Sequence, residues 1–143
     1  MKRFVIITFS VVCVIGLKPP GLLIAQEIAV ITHPDVPAET ISKTLVLDFF
    51  TRDRRRWSND QPVVPLDLQE PKEVRKTFYK ALGKSSSRMR SIWMRLKLSG
   101  EGEPPEAIKS EEELLLRVAN TPGAIGFVRR ENVTEEVKLL TVL

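Results

Sequence analysis

The sequence holds one cysteine, one histidine and one tyrosine in 143 residues. The cysteine, Cys13, lies in an apolar stretch near the start, behind Ser10-Val11-Val12, a setting unlike a lipoprotein signal. Residues 26–143 contain no thiol, so neither a disulfide framework nor thiol catalysis is open to them. The lone histidine, His33, stands between a strand-like segment and Pro34. With no cysteine and no second histidine beside it, it reads as structural or exposed rather than as a base or a ligand. No Gly-rich phosphate loop and no metal-ligand spacing is present. The cluster Glu111-Glu112-Glu113 fits the dipole of a helix start better than a cation. A series of stacking aromatics is also missing, and with it any nucleic-acid motif. These absences exclude a conventional catalytic constellation: no catalytic residue, no metal, no cofactor and no nucleic-acid partner is expected.

Only one long apolar run exists, and it comes first. Met1-Lys2-Arg3 is a basic head, Phe4 to Leu17 is nearly all apolar, and Ala25 precedes Gln26. This layout predicts a secretory signal peptide over residues 1–25, leaving 26–143 as one exported domain with no membrane span after cleavage. The alternative, a retained anchor, asks for about 20 apolar residues, and Lys18-Pro19-Pro20 interrupts the run short of that. Cleavage removes Lys2, Arg3 and Lys18, which leaves 19 Lys and Arg against 18 Asp and Glu. The whole-chain charge of +4 is therefore no argument for a polyanionic partner.

The rest alternates between strand-like and helix-like patterns. Residues 27–32 read as a first strand, broken by His33-Pro34-Asp35-Val36-Pro37. Ser42 is an N-cap for a helix over about 43–50, whose stripe is Leu45, Val46, Phe49 and Phe50. Val63 to Leu66 reads as a second strand. Pro71 starts a helix over 72–82 with Val74, Phe78 and Ala81 as its buried side, and Gly83 ends it. Ser85-Ser86-Ser87 caps another helix with Met89, Ile92, Trp93 and Leu96 on its apolar face. Residues 99–105 read as a loop. Ser110 and Glu113 form a capping box for a helix carrying Leu114, Leu115 and Val118. Asn120-Thr121-Pro122-Gly123 stops that helix, and Ala124-Ile125-Gly126-Phe127-Val128 has the continuous apolar character of a strand covered on both faces. Gly126 inside it predicts a close approach by backbone or ligand. Residues 137–142 form a last strand. The alternation predicts an α/β domain of three layers around a small central sheet.

Arginine is the residue type that points to a ligand. Arg52, Arg54, Arg55 and Arg56 cluster before Trp57, and Arg88, Arg90, Arg95 and Lys97 decorate the Trp93 helix. Guanidinium groups fork to oxyanions and helix starts offer N–H groups to them, so Ser85-Ser86-Ser87 beside Arg88 reads either as an anion seat or as a plain cap with a solvated basic face.

Several segments together resemble the PstS-like phosphate-binding family of type 2 periplasmic solute-binding proteins. They are Ile41-Ser42 before a helix with Asp48-Phe49-Phe50, the turn Trp57-Ser58-Asn59-Asp60 followed by Val64-Pro65-Leu66, Arg75 with Phe78, Trp93 with Ser99-Gly100, and Val118 to Val128. The resemblance spans residues 27–143 and implies a three-layer α/β/α single lobe, periplasmic, serving phosphate transport by oxyanion binding. Two departures accompany it. Phosphate-binding members have two lobes, whereas this chain matches the second only. Their Ser-Gly-Thr, which grips the oxyanion, is replaced by Lys72-Glu73-Val74, and the Gly of the Trp turn is Asp60. The expected ligand residues are Arg75 as the fork, Ser42 as a hydroxyl at a helix start, and Ser85 with Arg88 as a capped N-terminus. A different expectation is a module that binds no anion and covers its open face with a protein partner or with a second copy of itself.

Overall fold

A computed structural model describes residues 26–143, so the signal-peptide expectation over 1–25, with Cys13, lies outside the described residues. The elements are β1 Ile28–Thr32, α1 Lys43–Thr51, β2 Val64–Leu68, α2 Lys72–Ala81, α3 Ser86–Ser99, β3 Glu106–Ile108, α4 Glu111–Asn120, β4 Ala124–Arg129 and β5 Lys138–Val142, with a 3-10 turn at Arg130–Asn132. One mixed sheet runs in the order β3-β2-β4-β1-β5. β2 is parallel to β3 and to β4, while β1 is antiparallel to β4 and β5. Among the described residues no helix is long and apolar enough to cross a membrane.

The central strands are apolar because helices cover both faces. All five residues of β1 are buried, and so are the first five of β4. Alternation along β4 separates the layers. Phe127 stacks on Phe78 of α2 with ring centroids 3.7 Å apart and meets Phe50 of α1 edge-on at 5.9 Å. Its neighbour Gly126 faces the other way: a Cβ there would lie 2.7 Å from the Leu114 side chain and 3.3 Å from that of Val118, both on α4. The close approach expected at Gly126 is thus made by helix α4. α1 and α2 cover one face and α4 the other, the three-layer α/β/α arrangement. α3 joins the first layer, where the Trp93 indole N–H donates to the Phe50 carbonyl at 2.9 Å.

The helix starts are capped where hydroxyls stand. Ser42, Ser85 and Ser110 accept hydrogen bonds from the N–H groups of Leu45, Arg88 and Glu113 at 3.1–3.2 Å. Two details differ from the sequence expectation. β3 forms where no strand was read, because three residues with only Ile108 buried carry no periodicity and are recruited by the edge of β2. In α2, Tyr79 is buried and Ala81 only half-buried, because the Tyr79 hydroxyl has a buried partner.

The α4–β4 turn rests on Gly123. Its φ is +79°, and a Cβ would sit 2.3 Å from the Pro62 carbonyl oxygen. The Gly123 carbonyl accepts from the Trp57 indole N–H at 3.0 Å and from the Val64 N–H at 3.1 Å. Left-handed backbone strain and a clash with backbone act together, so Gly123→Ala is expected to cost roughly 3 kcal/mol or more. Urea unfolding followed by tryptophan fluorescence checks this; an unchanged midpoint would show that the turn is not a constraint.

Candidate functional site

A groove of about 990 Å³ runs along α2, between the start of α3 and the Pro104-Pro105-Ala107 edge beside β3. Its floor is built from one polar residue in an apolar strand. Asp67 is 3% exposed between Leu66 and Leu68, both fully buried. Its carboxylate accepts from the Tyr79 hydroxyl at 2.6 Å and from Arg75 Nε at 2.9 Å. The Arg75 guanidinium carbon lies 5.5 Å from the Tyr79 ring centre and 5.8 Å from that of Trp93, so two aromatic rings and a carboxylate hold the fork in place. Burial pushes the Asp67 carboxyl above the usual carboxylate range, against the Tyr79 hydrogen bond and the Arg75 charge. Burial, reinforced by the Asp67 charge, pushes the Tyr79 hydroxyl far above its ordinary value.

One wall is basic. Lys72, Lys76, Lys80 and Lys84 all line the groove, joined by Arg90 and by Ser85, Ser86 and Ser87 at the start of α3. Glu70 and Glu73 oppose them at the α2 start. The arrangement supplies point charges, two guanidinium groups and the start of a fourteen-residue helix, all favourable to an anion. It supplies no nucleophile–base pair, and no group of His, Cys, Asp and Glu able to hold a metal occurs among the described residues.

Of the four residues singled out from sequence, Arg75 and Ser85 line this groove together. Ser42 caps α1 and Arg88 is exposed on α3; neither lines it. The lysine row was missed as a unit, although its four-residue spacing was legible. Asp67 was missed because its partners are eight and twelve residues away. Two arginines of the Arg52–Arg56 cluster brace loops: Arg55 Nη2 donates to the Glu101 carbonyl at 2.6 Å and Arg56 Nη1 to the Asp60 carbonyl at 2.8 Å. His33 is half-buried and paired with Asp35 at 2.6 Å. Although burial alone would raise it, the Asp35 carboxyl is held below its ordinary range by hydrogen bonds from Gln61, His33 and the Gly123 N–H.

The start of α4 is closed to an external anion. The Glu111 carboxylate, on a residue 6% exposed, accepts from the Arg129 N–H at 2.6 Å, from Arg129 Nη2 at 2.6 Å and Nε at 2.9 Å, and from Asn132 Nδ2 at 3.1 Å. An internal carboxylate already holds that fork.

No protein-family model and no curated protein matches the chain. Solved structures do. A candidate phosphate ABC transporter substrate-binding protein with bound phosphate from Clostridium perfringens superposes with a TM-score of 0.67 at 18% identity, covering 81% of this chain and 44% of that one. An ABC-type phosphate transport receptor from Vibrio cholerae gives 0.64 at 14% identity, covering 81% and 46%. PstS from Borrelia burgdorferi gives 0.58 at 13%, covering 81% and 47%. The fold is that of part of the PstS-like substrate-binding proteins, and the chain spans less than half the length of each of these structures.

The raised Asp67 carboxyl fixes a pH dependence. Between the ordinary carboxylate pKa and the raised one, the unfolded chain has lost a proton that the folded chain keeps, so the contribution of Asp67 to stability falls as pH rises through that window and is level above it. Asp67→Asn cannot titrate. The stability of the wild type relative to Asp67→Asn is therefore expected to decline through the window as pH rises, read by urea unfolding from acid to neutral pH. A difference that instead grows with pH would reverse the assignment.

Proposed function

We propose that this chain forms an exported, periplasmic lobe that binds an oxyanion in the α2–α3 groove, in the service of phosphate transport, and that it is not an enzyme. The observation that carries this reading is the convergence of Arg75, the lysine row, Arg90 and the Ser85–Ser87 helix start on one groove. The fold shared with phosphate-transport proteins supports it. The cations are mostly exposed lysines, and an open groove leaves an anion in water, where charge pairs are weak. Affinity for one phosphate is accordingly expected near 1 mM, about 4 kcal/mol of binding free energy.

A second reading, a protein-interaction module or homodimer, is favoured by one patch. Leu98 is 80% exposed and Met94 57% exposed, one helical turn apart on the outer side of α3.

Calorimetric titration of the purified protein with phosphate, and with sulfate as control, separates the two. The first reading expects a saturable, salt-weakened response that drops about fivefold in Lys80→Ala/Arg90→Ala, as loss of two weak charge contacts predicts. No response from folded protein would sink it. The second reading expects a molecular mass in solution that rises with concentration and becomes constant in Leu98→Ser; a concentration-independent monomer would sink that one.

A further inference from the structure

We infer that the groove takes a linear polyanion, a chain of phosphate groups, rather than a single phosphate. The inference rests on the oxyanion reading of the same groove and specifies its ligand class.

The first argument is shape. About 990 Å³ is far more room than one phosphate fills. Lys72, Lys76 and Lys80 recur every four residues along α2, and Lys84 follows at its end. At helical rise each step along α2 is about 6 Å, so Lys72 to Lys80 spans about 12 Å, and Lys84 lies beyond the helix end. All four line the same wall. A single phosphate touches one or two of these charges, whereas an extended chain touches all of them.

The second argument is the kind of donor. A lone phosphate is held tightly by convergent, desolvated N–H groups and forks. This groove offers two guanidinium groups, Arg75, whose Nε Asp67 already engages, and the exposed Arg90, whose position no partner in the chain fixes. The other cations are the four flexible lysine ammonium groups, point charges that follow a charged chain without demanding fixed geometry. Affinity then comes from many weak contacts acting together and from the release of counterions condensed on the polyanion.

The third argument is charge that the fold leaves unspent. Between Lys72 and Lys97 the chain carries nine Lys and Arg and a single acid, Glu73. Elsewhere in 26–143 there are ten basic and seventeen acidic residues. Half of those other cations have acid partners: Arg56 with Asp60, Arg117 with Glu106, Arg129 with Glu111, Arg130 with Glu27, Lys138 with Glu39. Among the described residues, none of Lys72, Lys76, Lys80, Lys84 and Arg90 has an ion-pair partner in the chain. Their field is open to an external polyanion.

The occupant is a phosphate chain and not a nucleic acid, because the groove has no base-stacking platform. Its one tryptophan, Trp93, is 7% exposed, and its ring is packed against Tyr79 and Arg75.

The test titrates the purified protein with linear polyphosphate long enough to span the groove, with orthophosphate, and with a single-stranded oligonucleotide of equal charge. Polyphosphate is expected to bind about 100-fold more tightly than orthophosphate, the order that linked contacts supply. Its affinity should fall steeply with salt, and Lys76→Ala/Lys80→Ala/Lys84→Ala should weaken binding and flatten the log–log salt slope by about 2 to 3. Lys76 and Lys80 are exposed and Lys84 half-buried, so the variant is expected to keep its fold, which circular dichroism checks, and Lys43→Ala, outside the groove, should change nothing. Equal affinity for polyphosphate and orthophosphate would overturn the inference while leaving the oxyanion reading intact. No binding of either would overturn both. Oligonucleotide binding as tight as polyphosphate would overturn the assignment of ligand class.

Discussion

The Gly123 carbonyl fixes the whole lobe by holding two segments at one point. It accepts from the Trp57 indole and from the Val64 backbone, and the Pro62 oxygen lies against its Cα. Trp57 in turn packs edge-on against Phe49 of α1 at 4.7 Å. The connection from α1 to β2 is therefore pinned to the connection from α4 to β4. That pin sets the parallel register in which Val64 faces Ala124 and Pro65 faces Ile125. Parallel strands have no hairpin to set their pairing, so a long-range anchor of this kind does the work a tight turn does elsewhere. Asp67, α2 and the groove all follow from where β2 is placed.

From that register an aromatic layer grows outward to the ligand surface. Phe127, Phe78 and Phe50 fill the face of the sheet, Tyr79 and Trp93 lie further out, and Arg75 sits against these last two. The sequence of environments runs from fully apolar, through a buried Tyr–Asp hydrogen bond, to a partly hydrated guanidinium. Asp67 is what permits the change. Without a buried carboxylate the Tyr79 hydroxyl would lose its partner and Arg75 would keep only its two aromatic neighbours. The most ordered part of the candidate site is thus an extension of the core rather than a loop.

What was legible in the sequence follows the range of each interaction. Caps and stripes are local, so Ser42, Ser85 and Ser110 located their helices, and Val46, Phe49, Phe50, Val74 and Phe78 their buried sides. The apolar run 124–128 read directly as a strand covered on both faces. β3 was not legible, since Glu106-Ala107-Ile108 becomes a strand only because β2 offers an edge. Asp67 was hidden for a related reason: one carboxylate in an apolar run acquires meaning from residues on a helix that the turn chemistry must first fold back. The swap of Ala81 for Tyr79 has the same origin. Of the candidate site, Arg75 and Ser85 were singled out in the sequence only through resemblance and capping, while their meeting in one groove required the fold.

The separation of charge in the molecule bears on why such a groove persists. Like charges confined to one helical hairpin repel each other, and this repulsion lowers the stability of the compact state. Interspersed acids would relieve it, as Glu106, Glu111, Glu27 and Glu39 do for cations elsewhere. The hairpin from Lys72 to Lys97 has only Glu73 for this purpose. Solubility alone does not call for a single-sign surface when the described chain is close to neutral overall. The contrast with α4 sharpens the point. There the fold engages an arginine fork beside the helix start with its own Glu111 carboxylate. At α3 and along α2 the donors are left to the solvent side. The same chain has thus neutralised one oxyanion-competent end and kept the other charged, and a bound anion would relieve in the second what Glu111 relieves in the first. Binding and stability are then coupled: an anion that occupies the folded groove and has no comparable site on the unfolded chain raises stability as it fills.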